Sequence, residues 1–108
     1  MGVTKEITQN GTGAEVVAGQ NVTVHCTGLL LNNTKFWSTH DKNQPFSFQV
    51  GVGKVIKGWD EGVIGMKVGE KARLTCSPDY AYGPRGFPAW GIGPNSTLIF
   101  EIELLSTQ

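Results

Sequence analysis

The stretch Val50-Gly51-Val52-Gly53-Lys54-Val55-Ile56-Lys57-Gly58-Trp59-Asp60-Glu61-Gly62-Val63 constrains this chain more than any other. It reads as the end of a strand, a turn on two glycines, and then a short helix. Val55, Ile56, Trp59, Val63 and Met66 recur at spacings of one, three and four, which gathers their side chains on one helical stripe. Lys57, Asp60, Glu61 and Lys67 fall to the other side, where water can solvate them. Gly58 and Gly62 each cost such a helix stability relative to alanine. Packing, not propensity, must therefore hold it. Glycine also thins the helix and lets a neighbouring layer approach the indole. The expectation is one helix lying across a sheet, with Trp59 as the floor of an apolar pocket.

The rest of the chain supplies that sheet. Short alternating runs are punctuated by 15 glycines and 5 prolines, as in a compact sheet-rich domain. Val3, Lys5 and Ile7 suggest a first edge strand, ended by Asn10-Gly11-Thr12-Gly13. Val22, Val24 and Cys26 share one face of the next strand, with Thr23, His25 and Thr27 on the other. His25 is read as a hydrogen-bonded strand residue. Lys35 to Ser38 is a strand interrupted by the polar loop Thr39 to Gln44, with pairing resumed at Pro45 to Val50. Ala72, Leu74 and Cys76 point inward, as do Leu98, Phe100, Ile102 and Leu104. Between them, Pro78 to Asn95 lacks periodicity but holds both tyrosines, Phe87, Trp90, Ile92 and four of the five prolines. An aromatic, proline-stiffened loop of this length is usually functional.

Several function classes are excluded on chemistry. Nine basic residues balance nine acidic ones, so nucleic acid and anionic membranes are not expected partners. No run approaches a membrane span. The polar start Met1-Gly2-Val3-Thr4-Lys5-Glu6 lacks a secretory signal, and Glu6 stands where a myristoylation signal wants Ser or Thr. A soluble, cytoplasmic, monomeric protein with residues 1–108 forming one domain is expected. The sequons at Asn10, Asn21, Asn32 and Asn95 then mark only turns and strand ends. Cys26 and Cys76 form no metal-type pair and are read as buried free thiols. Gly51-Val52-Gly53 fails the dinucleotide fingerprint because Ile56 stands where the third glycine belongs, and Gly53-Lys54 is followed by Val55, so it is no P-loop. Asp60 and Glu61 are adjacent and diverge around a helix. Neither a metal nor a cofactor is expected. What the chain offers instead is an aromatic surplus: Phe36, Phe46, Trp59, Tyr82, Phe87, Trp90 and Phe100.

Five segments carry a resemblance: Val24-His25-Cys26-Thr27-Gly28, Pro45-Phe46-Ser47-Phe48, Val55 to Gly62, Pro78-Asp79-Tyr80-Ala81-Tyr82-Gly83 and Leu98 to Leu105. In this order they resemble the FKBP-type peptidyl-prolyl isomerases over essentially the whole chain. Phe36-Trp37-Ser38-Thr39 and Gly86 to Ile92 further resemble the small cytosolic members of green plants and algae. The resemblance implies an α+β fold, a twisted antiparallel half-barrel of about five strands wrapped round one short helix. It implies a pocket for proline-containing chains and for the macrolides rapamycin and tacrolimus. Carried onto this sequence, the pocket residues are Phe36, Phe46, Val55, Ile56, Trp59, Tyr82, Ile92 and Phe100, with Tyr82, Trp59, Phe36, Phe100 and Ile56 as the catalytic set. Lys54 and Ile56 add main-chain hydrogen bonds, while Trp37, Phe87 and Trp90 contact the macrolide or lie on the rim.

Two functional readings follow from the resemblance. The leading one is an enzyme that rotates X-Pro bonds and assists folding or switching of client proteins. The rival is a binding module, with TOR kinase as a partner when rapamycin is present. Many family members carry Tyr, Asp and Arg where this chain has Cys26, Trp37 and Lys42. All three change together, so no buried acid loses its partner. Gly93-Pro94 also replaces a stiffer Pro-Pro. The expectation is that rapamycin binds and inhibits, whereas calcineurin inhibition through tacrolimus is weak because of Lys42 and Phe87.

Overall fold

The alternating runs form six antiparallel strands of one sheet. In the computed structural model, which describes residues 2–108 without the Lys42 side chain, these are β1 (Val3–Gln9), β2 (Asn21–Leu30), β3 (Lys35–Ser38), β4 (Phe46–Gln49), β5 (Lys71–Cys76) and β6 (Leu98–Thr107). Two helices interrupt them, α1 (Thr39–Lys42) and α2 (Lys57–Gly62), and three 3-10 turns lie at Pro78–Tyr80, Gly83–Arg85 and Pro88–Trp90. The strand order is β1-β5-β6-β2-β3, with β4 also paired to β2. β3 opposes Thr27 to Leu29 and β4 opposes Asn21 to Val24. They are two halves of one edge strand, so the sheet is five strands wide, as the family resemblance implied.

Period-two alternation decides which side chains meet. Val22, Val24, Cys26, Ala72, Leu74, Cys76, Leu98, Phe100, Ile102 and Leu104 are all buried on the inner face. β1 is an exposed edge, with Ile7 half in water. Across the inner face lies α2. Gly58 and Gly62 turn toward β5: a methyl at Gly58 would strike Cys76 Sγ, and one at Gly62 would meet Leu74 Cδ1 at 2.9 Å. Six residues form no stable helix alone. Burial of Trp59, Val63 and Met66 holds α2 in place, at roughly 1.5–3 kcal/mol for each fully buried large apolar side chain.

Three local expectations change. The helix begins only at Lys57, because Ile56 is an extended N-cap (φ −60°, ψ 153°), so Val55 and Ile56 reach the core from a loop. Met66 does so from the turn that follows. The stretch read as a polar loop after Ser38 opens with the α1 turn, in which Ser38 Oγ accepts from His40 N–H at 3.2 Å. Thr39 is buried there: its Oγ1 accepts the Cys26 N–H at 2.9 Å and bonds His25 Nδ1 at 2.8 Å. Third, Asp60 is not left to water. Its Oδ1 accepts from Gly51 N–H at 2.9 Å and its Oδ2 from Gly53 N–H at 2.8 Å.

Candidate active site

Four pieces of the fold converge above α2. From α2 comes Trp59, 3% exposed. The preceding loop gives Lys54, Val55 and Ile56, the split edge strand gives Trp37 and Phe46, and β6 gives Phe100. The loop after β5 adds Tyr82 and Trp90. Together they line a cavity of about 220 Å³. The size lies below the ~300 Å³ where drug-sized sites begin.

The walls are aromatic and meet mostly edge to face. Trp59 meets Phe100 at 5.3 Å and 86°, and Phe46 at 5.8 Å and 71°. Such geometry sets positive ring edges against negative faces. Phe48 packs 5.2 Å from Trp59 on the core side. Trp37 lies 5.9 Å from Trp59 and 5.6 Å from Phe46. Trp90, 41% exposed, lies nearly parallel to Trp37 at 6.1 Å and 8°. It is carried on a small hairpin in which Phe87 and Ile92 exchange backbone hydrogen bonds at 2.8 and 3.2 Å. Gly86 (φ +64°) permits that hairpin, since a Cβ there would strike the carbonyls of Ile92 and Gly93.

Two residues named for the pocket, Phe36 and Ile92, do not line the cavity, and Phe87, named for the rim, does not line it either. Phe36 stands behind the wall, against Phe100 at 5.9 Å and Trp90 at 6.3 Å. Ile92 is fully buried under the hairpin. Phe87 flanks Tyr82 at 5.3 Å and Trp90 at 4.8 Å on the outer rim. The side chain of Lys42, named for a rim role, is not among those described. The sequence reading missed Asp60 as a support. Its signal was the Gly-x-Gly turn close by in the chain, two N–H groups that need a common acceptor.

Polar groups around the cavity are few. The Tyr82 hydroxyl makes no hydrogen bond among the described residues, and burial raises its pKa above that of a free phenol, so it stays a donor. The Ile56 N–H likewise donates to nothing described. Trp59 Nε1 is buried without an acceptor among the described residues. Lys54 and Tyr82 are the only titratable residues among those lining the cavity. The site can grip an apolar ring and offer neutral donors to a carbonyl. It is not arranged to move protons.

That description defines a class. The family model for FKBP-type peptidyl-prolyl cis-trans isomerase matches residues 13–105. Two plant relatives named peptidyl-prolyl cis-trans isomerase FKBP12 match over the full length of both chains: that of Vicia faba at 64% identity and that of Arabidopsis thaliana at 63%. FK506-binding protein 1 of Rhizopus delemar is 57% identical, with 97% of each chain covered. This chain belongs to the FKBP family and is a peptidyl-prolyl cis-trans isomerase.

Proposed function

We propose that X-Pro segments bind and rotate in the aromatic cavity above α2, with the proline ring on Trp59 between Phe46 and Phe100. The observation that carries this reading is an apolar cavity of about 220 Å³ whose neutral donors have no partner among the described residues. Rotation about the X-Pro bond breaks amide resonance against a barrier of ~18–20 kcal/mol. It also removes charge separation, so an apolar site favours the twisted amide over the planar one. Tyr82 Oη–H and the Ile56 N–H would hold substrate carbonyls, which fixes one side of the bond while the other turns. Val55, Phe36 and Ile92 support the wall, and Lys54, Phe87, Trp37 and Trp90 contact the flanking chain.

The same cavity is proposed as the anchor for rapamycin and tacrolimus. A macrolide enters it in part and lies across Trp90 and Phe87, both open to solvent. Trp37 offers no acceptor where many relatives carry an acid, so affinity drops about tenfold for ~1.4 kcal/mol. The rapamycin-bound rim is proposed to reach TOR kinase, while the tacrolimus-bound rim engages calcineurin weakly. Residues 1–108 act as one monomeric domain on cytoplasmic client proteins.

The test is exchange of a short Leu-Pro peptide followed by NMR. Wild-type protein should accelerate it, with rapamycin competing. Phe100→Ala should abolish most of the rate by admitting water to the floor. Tyr82→Phe should cost about one hydrogen bond, ~0.5–1.5 kcal/mol in ΔG‡. No rate above the spontaneous one would refute the assignment of the site.

A further inference from the structure

The segment from Gly51 to Ile56 supplies Lys54, Val55 and Ile56 to the cavity wall, yet it lies in no helix or strand. A run without a ladder must satisfy and fix its backbone some other way. Among the described residues, every hydrogen bond that holds it runs to the start of α2. The Asp60 carboxylate takes the N–H groups of Gly51 and Gly53, at 2.9 and 2.8 Å. At the other end the Asp60 N–H donates to the Ile56 carbonyl at 3.1 Å, beside the Trp59 N–H at 3.0 Å. One residue thus closes both ends of the segment, and Lys54 and Val55 stand between the closures.

The chemistry of the closure is specific. Gly51 and Gly53 adopt φ of +81° and +79°, a region that glycine enters at no steric cost. The resulting turn brings two N–H groups onto one carboxylate. Bonds from backbone N–H to an ionised carboxylate are about twice as strong as neutral ones. Asp60 lines no part of the cavity itself.

We infer that Asp60 is a positioning residue for the isomerase reaction. It holds the loop so that the Ile56 N–H and the Val55 and Ile56 walls are in place before an X-Pro segment enters. The inference rests on reading this cavity as the prolyl site. Without the closure, ordering the loop would be charged to binding instead of to folding. KM should therefore rise while kcat changes little.

The experiment measures kcat and KM separately on a Leu-Pro peptide for wild-type, Asp60→Asn, Asp60→Ala and Asp60→Glu, with amide hydrogen exchange at Gly51 and Gly53. Asp60→Asn keeps the size and one acceptor and should lose about threefold in kcat/KM, Asp60→Ala about tenfold or more, chiefly through KM. Asp60→Glu should recover part of the loss, and exchange at the two glycines should quicken in step with KM. Unchanged KM in both Asn and Ala variants, even with a lower Tm or faster exchange, would overturn the inference and leave the prolyl site standing. An inactive wild-type protein would remove both.

Discussion

Bare backbone at Gly28 seats the Phe36 ring. A Cβ added there would lie 2.6 Å from Phe36 Cζ, and the ring cannot retreat because Trp90 and Phe100 stand beyond it. Gly28→Ala should therefore cost ~1–3 kcal/mol of stability through overpacking and push the ring against the cavity wall. A urea titration reads the first effect and peptide exchange the second; an alanine variant as stable and active as wild-type would show that the ring has room. Tyr82 makes a different point. Burial raises its pKa above the ordinary value of about 10. The phenol therefore keeps its proton, and its role as donor, at every pH below that. Isomerase activity should be flat from about pH 6 to 9, since no general acid or base is needed. A bell-shaped profile in that window would point to a titrating group at work.

Helix α2 shows where element-level reading succeeds and where it stops. Gly58→Ala should gain up to ~1 kcal/mol in helix propensity. The same methyl would strike Cys76 Sγ and approach the Tyr80 carbonyl at 3.2 Å. Overpacking of this kind costs ~1–3 kcal/mol, so the variant should be less stable by chemical denaturation despite being a better helix former. The strands were legible because alternation at Val22, Val24 and Cys26, or at Leu98, Phe100, Ile102 and Leu104, reports burial one residue at a time. The two halves of the edge strand were legible as Lys35 to Ser38 and Pro45 to Val50, the second from the alternation of Phe46, Phe48 and Val50. The limits of α2 were not, since Val55 and Ile56 keep helical spacing while lying outside the helix. Nor was α1, whose buried Thr39 looks polar in sequence and is satisfied only by Cys26 and His25 across the fold. The wall of the site followed from family resemblance. Phe36 and Ile92 fell behind it because strand geometry and the Phe87–Ile92 hairpin, which spacing does not encode, decide what faces the cavity.

Across the whole molecule, β6 lies between the two cysteines. Cys26 pairs with Ile102 and Cys76 with Leu98. The thiols are thus two strands apart and four residues out of register, a shift of about 13 Å along the strand at ~3.3 Å per residue. A disulfide wants Cα atoms within about 7 Å, and both cysteines are free and buried. Burial holds the neutral thiol: Cys76 is pushed up to about 12 and Cys26 further still, from an ordinary value of 9.0. Both folded pKa values are raised, so their contribution to stability is complete below pH 9 and is lost as pH rises toward the folded values. The unfolded chain releases its thiol protons above pH 9 while the folded one keeps them. Unfolding free energy should fall by about 1.4 kcal/mol per pH unit for each thiol between pH 9 and 11. A Cys26→Ala/Cys76→Ala protein, less stable at pH 7 from lost packing, should show a shallower alkaline slope in urea titrations. Alkylation of wild-type protein without reductant should be slow when folded and modify both cysteines once unfolded. Equal slopes in the two proteins would place the alkaline loss elsewhere, and blocked cysteines after unfolding would mean that the sheet brings the sulfurs together.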